Sequence, residues 1–289
     1  MRTRQGIRCG LWCASLFCLG MIGCASGAIV KDTDTPLSAG RDLERSPRGV
    51  YINISTMLNA RTRNAWLTRL DALDPDQIVV YGMHRQLRNS GPAASVLRAL
   101  RLALPNARLA VSGETAAFFA SVAADRNLDG LFDVFNYEFE FWNPGNYGYR
   151  SRHEALDRAA DDLAAMRALA DRRGVQVEMY LGWFDETEAA RLFPYLDRIL
   201  LHAYVPSVDG IAGYLADRLA VLRRVDASLG RVMEWRLLLS AETRYLGGSL
   251  RQHGLDWVEK NAAGPCRDQP GWSGIQWFTA ELLAEHLEP

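Results

Sequence analysis

Two glutamates spaced two residues apart, Glu138 and Glu140, are the residues of this chain best suited to do chemistry. In the surrounding stretch, 133–143, aromatic and β-branched residues alternate with polar ones, and this period of two predicts a strand with two different faces. Both carboxylates then share one face with Asn136 and Trp142, close enough to perturb each other's protonation. Paired carboxylates with separated pKa values perform the acid and base steps of glycoside cleavage. The alternative is a buried ion network in which arginines hold both glutamates and no chemistry takes place.

The elements that would position this pair alternate regularly between strand and helix. The predicted strands are Val50–Ile54, Gln77–Gly82, Arg108–Ser112, Phe132–Trp142, Val175–Trp183, Arg198–Tyr204, Trp235–Ala241 and Gly274–Phe278. The predicted helices are Arg63–Leu73, Pro92–Leu104, Thr115–Asn127, Ser151–Arg173, Glu186–Phe193, Ile211–Ala227, Leu255–Ala262 and Ala280–Leu287. About eight such units over about 240 residues predict an α/β fold, a single (β/α)8 TIM-like barrel spanning 49–289. A doubly wound open sheet is the alternative, because the alternation alone does not establish closure.

In such a barrel, chemistry takes place at the carboxyl ends of the strands. Aromatic and hydrogen-bonding side chains are concentrated there in this sequence. The candidate substrate-binding residues are Asn136, Trp142, Tyr81, Tyr180, Trp183, Tyr204 and Trp277. Each aromatic residue taken singly is better explained as a plug of the barrel end, and only the set indicates a sugar-binding cleft.

The strand with the two glutamates resembles the catalytic strand of chitinase-type family 18 glycoside hydrolases. That family carries D-x-x-D-x-D-x-E on its fourth barrel strand, and this chain has Asp133, Asn136, Glu138 and Glu140 in the same register. The resemblance implies that Glu140 is the general acid and that Glu138 orients the substrate N-acetyl group. It also implies that the acetamide oxygen acts as the nucleophile, so that the enzyme supplies none. We therefore expect Glu140 to be the protonated carboxyl and Glu138 to stay ionised.

Further matches to that family are weaker. Tyr204 lies where a family tyrosine contacts the acetamide, and Trp277 lies where a tryptophan floors the subsite of the cleaved sugar. The chain also departs from the pattern, since Asn136 and Glu138 each replace an aspartate and Val205 stands where an aspartate follows the tyrosine. These departures fit a hydrolase of altered specificity as well as a barrel that binds glycans without cutting them.

The amino terminus resembles a bacterial lipoprotein signal. Three arginines precede a short apolar run, Leu11–Ile22, which ends at Gly23 and Cys24. The resemblance implies that a signal peptide, 1–23, is removed and that Cys24 is acylated with fatty acids such as palmitate. A plain secretory signal or an uncleaved apolar anchor is the alternative.

Residues 24–48 are rich in Ser, Thr, Asp, Gly and Pro, and this composition predicts a flexible tether between the lipid and the barrel. Because Ala25 follows the cysteine, the sorting rule of lipoproteins implies residence in the outer membrane of a Gram-negative cell envelope. The formal net charge of −1 gives no electrostatic reason to expect a nucleic-acid partner.

Taken together, these patterns predict a lipid-anchored glycoside hydrolase that acts on a glycan containing N-acetylhexosamine. Its partners would be a carbohydrate and, through the anchor, a membrane. No cofactor and no metal is expected, because the histidines lack H-x-H or H-E-x-x-H spacing. The alternative is a non-catalytic surface lipoprotein whose barrel binds a glycan or a protein.

Overall fold

The computed structural model describes residues Arg45–Leu287. The proposed signal peptide, Cys24 and nearly all of the tether therefore lie outside the described residues. Within the described part of the chain, no helix is both long enough and apolar enough to cross a membrane.

Eight parallel strands form a closed barrel in which each strand pairs with its neighbours in sequence and the last pairs with the first. The strands are β1 (Arg48–Asn53), β2 (Gln77–Tyr81), β3 (Arg108–Gly113), β4 (Val134–Tyr137), β5 (Gln176–Leu181), β6 (Arg198–His202), β7 (Glu234–Ser240) and β8 (Trp272–Phe278). This topology confirms the predicted α/β barrel and excludes the open sheet.

Ten α-helices accompany the strands in the described residues. They are α1 (Ile54–Met57), α2 (Ala60–Leu73), α3 (Gly91–Ala103), α4 (Ala116–Ala124), α5 (Arg152–Arg173), α6 (Glu186–Leu192), α7 (Gly210–Leu229), α8 (Gly248–His253), α9 (Leu255–Ala263) and α10 (Ala280–Leu287). The longest, α5, starts where the Ser151 hydroxyl accepts from the backbone N–H of Glu154, and it ends at Gly174, whose φ is 66°. Both end signals were readable in the sequence because they depend on local backbone groups alone.

The fourth strand is shorter than the predicted Phe132–Trp142. Its last ladder bond runs from the N–H of Glu138 to the carbonyl of Gly113, at 2.9 Å. Beyond that point the chain turns tightly, since the N–H of Asn143 bonds to the carbonyl of Glu140 at 2.8 Å. Glu138 and Glu140 therefore follow the last residue of β4. Side chains continue to alternate there, although the last bond of the ladder to β3 is the one made by Glu138.

The boundary between tether and barrel also differs from the prediction by a small amount. Arg48 is not tether but the first residue of β1, and its side chain is buried. Its guanidinium bonds Glu259 on α9 at 2.5 and 2.6 Å and the carbonyl of Leu73 at 2.8 Å. These bonds satisfy a buried charge and join the first strand to the helices around it.

The inside of the barrel holds a buried polar network rather than hydrocarbon alone. Glu178 accepts from Arg198 at 2.6 and 2.9 Å, from Gln77 at 2.9 and 3.0 Å, and from Asn136 at 2.8 Å. Arg198 also donates to the side-chain oxygen of Gln77. Above them, the Tyr51 hydroxyl donates to the side-chain oxygen of Asn136 at 3.3 Å. The network therefore runs upward through the barrel and ends directly beneath the mouth.

Candidate active site

The carboxyl ends of the strands surround a cleft made of two adjoining lobes that share Glu114 and Glu138. The smaller lobe is a cavity of about 230 Å³ lined by Glu114, Glu138, Glu140, Tyr147, Tyr180, Tyr204, Leu238 and Phe278. The larger lobe, of about 510 Å³, is lined by Asn53, Tyr81, Gly82, His84, Ser112, Gly113, Glu114, Thr115, Phe118 and Glu138. Three carboxylates thus face a wall of aromatic rings, an arrangement suited to sugar rings and their polar edges.

Glu138 occupies the boundary between the lobes. Burial raises the pKa of its carboxyl to about 7, while hydrogen bonds with Ser112 and Tyr51 oppose that rise and the charges of Glu114 and Glu140 add to it. Desolvation outweighs these hydrogen bonds and favours the protonated form of Glu138, which is the opposite direction from the one expected from the sequence.

Glu140 accepts a hydrogen bond from its own loop. The side-chain amide of Asn143 donates to its carboxylate at 2.8 Å, and Tyr180 lies with it in the lining of the smaller lobe. Burial raises the pKa of the Tyr180 phenol well above its ordinary value, so the hydroxyl keeps its proton. The backbone N–H of Glu140 lies 3.3 Å from the Tyr147 hydroxyl, which fixes the loop over the cleft. The two carboxyls thus occupy different environments, one desolvated and one solvated by fixed dipoles.

Three of the predicted substrate-binding residues, Tyr81, Tyr180 and Tyr204, line the cleft. Two others lie just beyond it. Trp142 is 8% exposed and packs behind Tyr180, with ring centroids 5.4 Å apart. Trp183 is 51% exposed, and the Arg218 guanidinium covers its ring at 3.9 Å. Trp142 therefore supports the wall of the cleft, and Trp183 belongs to its outer rim.

The two remaining predicted residues do not face the cleft. Asn136 is fully buried beneath its floor, in the network with Glu178. Trp277 is also fully buried, but its indole N–H donates to Glu259 on α9 at 2.8 Å, so its ring lies on the outer, helix-facing side of β8. Because side chains alternate along a strand, the inward position belongs to the next residue, Phe278, which lines the smaller lobe. The predicted tryptophan floor is therefore wrong by one residue.

Phe278 and Tyr51 are among the site residues that the sequence prediction missed. Both alternate with buried outward positions on β8 and β1, so strict period two could have found them. Tyr147 sits on a short 3₁₀ turn, Pro144–Tyr147, and no sequence signal indicates that its hydroxyl turns back to the β4 loop.

No set of three or more His, Cys, Asp or Glu side chains within Arg45–Leu287 is grouped so as to hold a metal ion. Burial raises the pKa of the Glu114 carboxyl, while the charge of His84 opposes that rise and the charge of Glu140 adds to it.

Comparisons with known proteins give likeness in structure but not in sequence. No protein-family model matches the chain, and no curated protein does. Among solved structures, a GH39 enzyme from Xanthomonas axonopodis pv. citri matches with a TM-score of 0.54 and 12% identity, over 84% of this chain and 60% of that one. A GH18 chitinase from Pseudoalteromonas aurantia matches with a TM-score of 0.50 and 10% identity, over 83% of this chain and 98% of that one. At such identities the likeness establishes the barrel fold alone.

Proposed function

We propose that this protein is a glycoside hydrolase that acts on a glycan containing N-acetylhexosamine. The observation that carries the proposal is the pair Glu138 and Glu140 at the barrel mouth, where burial raises the pKa of Glu138 to about 7 and the Asn143 side-chain amide donates to the Glu140 carboxylate. Two carboxyls separated in this way within an aromatic cleft are the apparatus of acid and base catalysis on a glycosidic bond. The GH18 chitinase and the GH39 enzyme share the barrel fold of this chain, and that fold is compatible with the proposed chemistry.

In the mechanism we favour, Glu138 donates its proton to the glycosidic oxygen as the bond from the anomeric carbon to that oxygen breaks. The acetamide oxygen of the substrate attacks the same carbon, and the ionised Glu140 accepts a hydrogen bond from the acetamide N–H. Water then opens the cyclic intermediate and gives a proton to Glu138, which restores the starting state. The resemblance to the family 18 motif implies the reverse assignment, with Glu140 as the acid, and kinetics can distinguish the two.

The test uses two N-acetylglucosaminides that differ in the leaving group. A methylumbelliferyl leaving group needs a proton, whereas a dinitrophenyl group departs without one. We expect Glu138→Gln to lose on the order of 100-fold in kcat on the first substrate and to be largely rescued on the second. Glu140→Gln should be slow on both. The exposed Glu285→Gln on α10 is the control for an equal change of charge elsewhere.

Absence of turnover by the wild-type protein, combined with retained binding of N-acetylglucosamine oligomers, would favour the non-catalytic glycan-binding alternative. The replacements of aspartates in the family motif by Asn136 and Glu138 are the observations behind that alternative.

We also propose that the chain is held at the outer membrane by lipid on Cys24, with the barrel facing envelope glycan. The support is the sequence of the amino terminus: positive residues, a short apolar run and Gly23-Cys24. Multiple acyl chains on one cysteine would provide stable anchoring.

A further inference from the structure

Trp183 presents an exposed aromatic surface at the rim of the barrel mouth. It follows β5, which ends at Leu181, and it is 51% exposed. Leaving so much of an indole in water forgoes the free energy that its burial would provide. The other large apolar side chains that are exposed in the described residues do not follow the carboxyl end of a strand: they are Leu102, Leu229, Val232 and Trp257. Trp183 is therefore the exposed ring best placed to contact a substrate of the cleft.

The buried face of the Trp183 indole is fixed in position by polar groups. Arg218 is 2% exposed, and its guanidinium carbon lies 3.9 Å from the centroid of the Trp183 ring and 4.0 Å from that of the Tyr214 ring. Its Nε donates to the Gly182 carbonyl at 2.5 Å, and Arg152 donates to the Trp183 carbonyl at 3.1 Å. Because the guanidinium covers one face of the indole, the opposite face is the one left to solvent. A ring held in this way loses little freedom when a ligand stacks on it.

Aromatic rings connect Trp183 to the smaller lobe of the cleft. Trp183 and Tyr214 meet edge to face, with ring centroids 5.8 Å apart. The Tyr214 hydroxyl is 3.1 Å from His202 Nε2, and the His202 ring centroid is 4.9 Å from that of Tyr204, which lines the lobe. None of the four side chains is fully buried. We call these four rings, Tyr204, His202, Tyr214 and Trp183, the aromatic band. Successive rings at a surface suit a chain of sugars, whose apolar faces can pack on them.

The aromatic band is packed directly against the wall of the cleft. A β-carbon at Gly182 would lie 2.6 Å from His202 Nε2 and 2.7 Å from the Trp142 ring, so only glycine allows this approach. Trp142 in turn packs behind Tyr180, which lines the smaller lobe. The band and the wall thus form one close-packed unit, and Trp183 has a fixed position relative to the lobe.

The proposed mechanism determines which part of the substrate reaches the aromatic band. Glu140 lines the smaller lobe, and in that mechanism it accepts a hydrogen bond from the acetamide N–H. The sugar whose anomeric bond breaks therefore occupies the smaller lobe, and the leaving group lies past Glu138, in the larger lobe. Sugars attached on the non-reducing side must leave the smaller lobe by another route, because the leaving group fills the larger one. The aromatic band, which adjoins the smaller lobe at Tyr204, offers that route.

We propose that the aromatic band binds the non-reducing continuation of the glycan, so that the protein cuts within a chain of N-acetylhexosamine units and does not only release a terminal sugar. This inference rests on the proposed function. Trp183 touches none of the reacting atoms in this arrangement and acts through binding alone. Its contribution therefore enters kcat/KM only for substrates long enough to reach it.

The test uses the full chain and methylumbelliferyl glycosides of one, two and three β-1,4-linked N-acetylglucosamine units. The leaving group is the same in all three, so the added sugars extend the substrate on the non-reducing side alone. We expect kcat/KM of the wild-type protein to rise with length. In Trp183→Ala this rise should be lost, with kcat/KM about tenfold lower on the trisaccharide and unchanged on the monosaccharide. Trp183→Tyr, which keeps an aromatic face, should recover part of the rise.

Trp257→Ala is the matched control, because Trp257 is 40% exposed on α9 and its ring stacks on His253 at 4.0 Å. It should leave kcat/KM unchanged on all three glycosides. A rise with length that survives in Trp183→Ala would overturn the proposal. An equal loss on all three glycosides would also overturn it and would assign Trp183 to packing over Arg218. Turnover without any gain in length would leave the proposed function intact and refute the aromatic band, since the protein would then release terminal sugars.

If the wild-type protein turns over none of the glycosides, the proposed function fails, and equilibrium binding decides the aromatic band alone. Calorimetric titration with N-acetylglucosamine trimers to hexamers measures it. Affinity that rises with length in wild type and in Trp257→Ala, but not in Trp183→Ala, would support the band. Affinity that is independent of length, or absence of binding, would overturn it.

Discussion

Replacing Glu138 by glutamine should stabilise the protein, and should do so increasingly as the pH rises. The wild-type carboxyl has a pKa of about 7 in the folded protein against a usual value of 4.5. A difference of about 2.5 units corresponds to about 3 kcal/mol of differential free energy between the folded and unfolded states. Because the side chain is partly exposed, solvent screening reduces the effect, and on the order of 2 kcal/mol is a realistic expectation.

The sign follows from the direction of the shift. Protonated Glu138 is favoured by folding, so its contribution to stability is complete below the unfolded pKa and is lost as the pH rises through about 7. Glutamine cannot ionise, and the variant does not suffer this loss. The gap in free energy of unfolding between Glu138→Gln and wild type should therefore be larger at about pH 8 than at about pH 5.

Urea denaturation of both proteins at these two pH values measures the gap directly. Glu285→Gln, which removes the same charge from an exposed position on α10, corrects for the change in net charge. An equal gap at both pH values would refute the raised pKa. A variant that is less stable than wild type at the higher pH would show that the carboxylate is needed by a structural ion network instead.

Three further outcomes are expected. Arg198→Met should lower the free energy of unfolding by about 3–5 kcal/mol in chemical denaturation, because it leaves Glu178 buried without its cation; an Arg198→Met, Glu178→Met double variant that is equally unstable would contradict this reason. Gly182→Ala should cost about 1–3 kcal/mol by overpacking and should slow turnover, while Gly213→Ala, with nothing within 4 Å of its β-carbon, should not destabilise in the same thermal melt. Cys24→Ala should abolish labelling by a fatty-acid analogue in cells, and labelling that persists would disprove lipidation at that residue.

The architecture was accessible from the sequence because it depends on patterns that repeat along the chain. Each strand is a short apolar run and each helix begins and ends with local signals, such as Ser151 and Gly174 for α5. Closure of the sheet was inferred from the number of units, which is a property of the whole chain rather than of any residue. The end of β4 at Tyr137 was not accessible, because side chains keep alternating after the ladder stops.

The candidate site was predicted less completely, since it depends on which way single side chains point. Tyr81, Tyr180 and Tyr204 were placed correctly because they occupy inward positions near strand ends. Trp277 was misplaced because the motif match considered residue type alone. Side chains alternate along β8, and this alternation directs Trp277 toward α9. The partnership of His202 with Tyr214 was invisible, because it joins β6 to a helix that begins eight residues later and carries no motif.

The polar network inside the barrel has a consequence for how this protein changes during evolution. Its members, Tyr51, Gln77, Asn136, Glu178 and Arg198, come from five different strands, and most are bonded to Glu178. A substitution at one position leaves its partners buried and unsatisfied, so single steps away from the set pass through less stable proteins. We expect the residues at these five positions to be kept or replaced together, whereas the apolar residues between strands and helices are replaced one at a time. Joint variation at these positions would then mark distant relatives of this barrel even where overall identity has vanished.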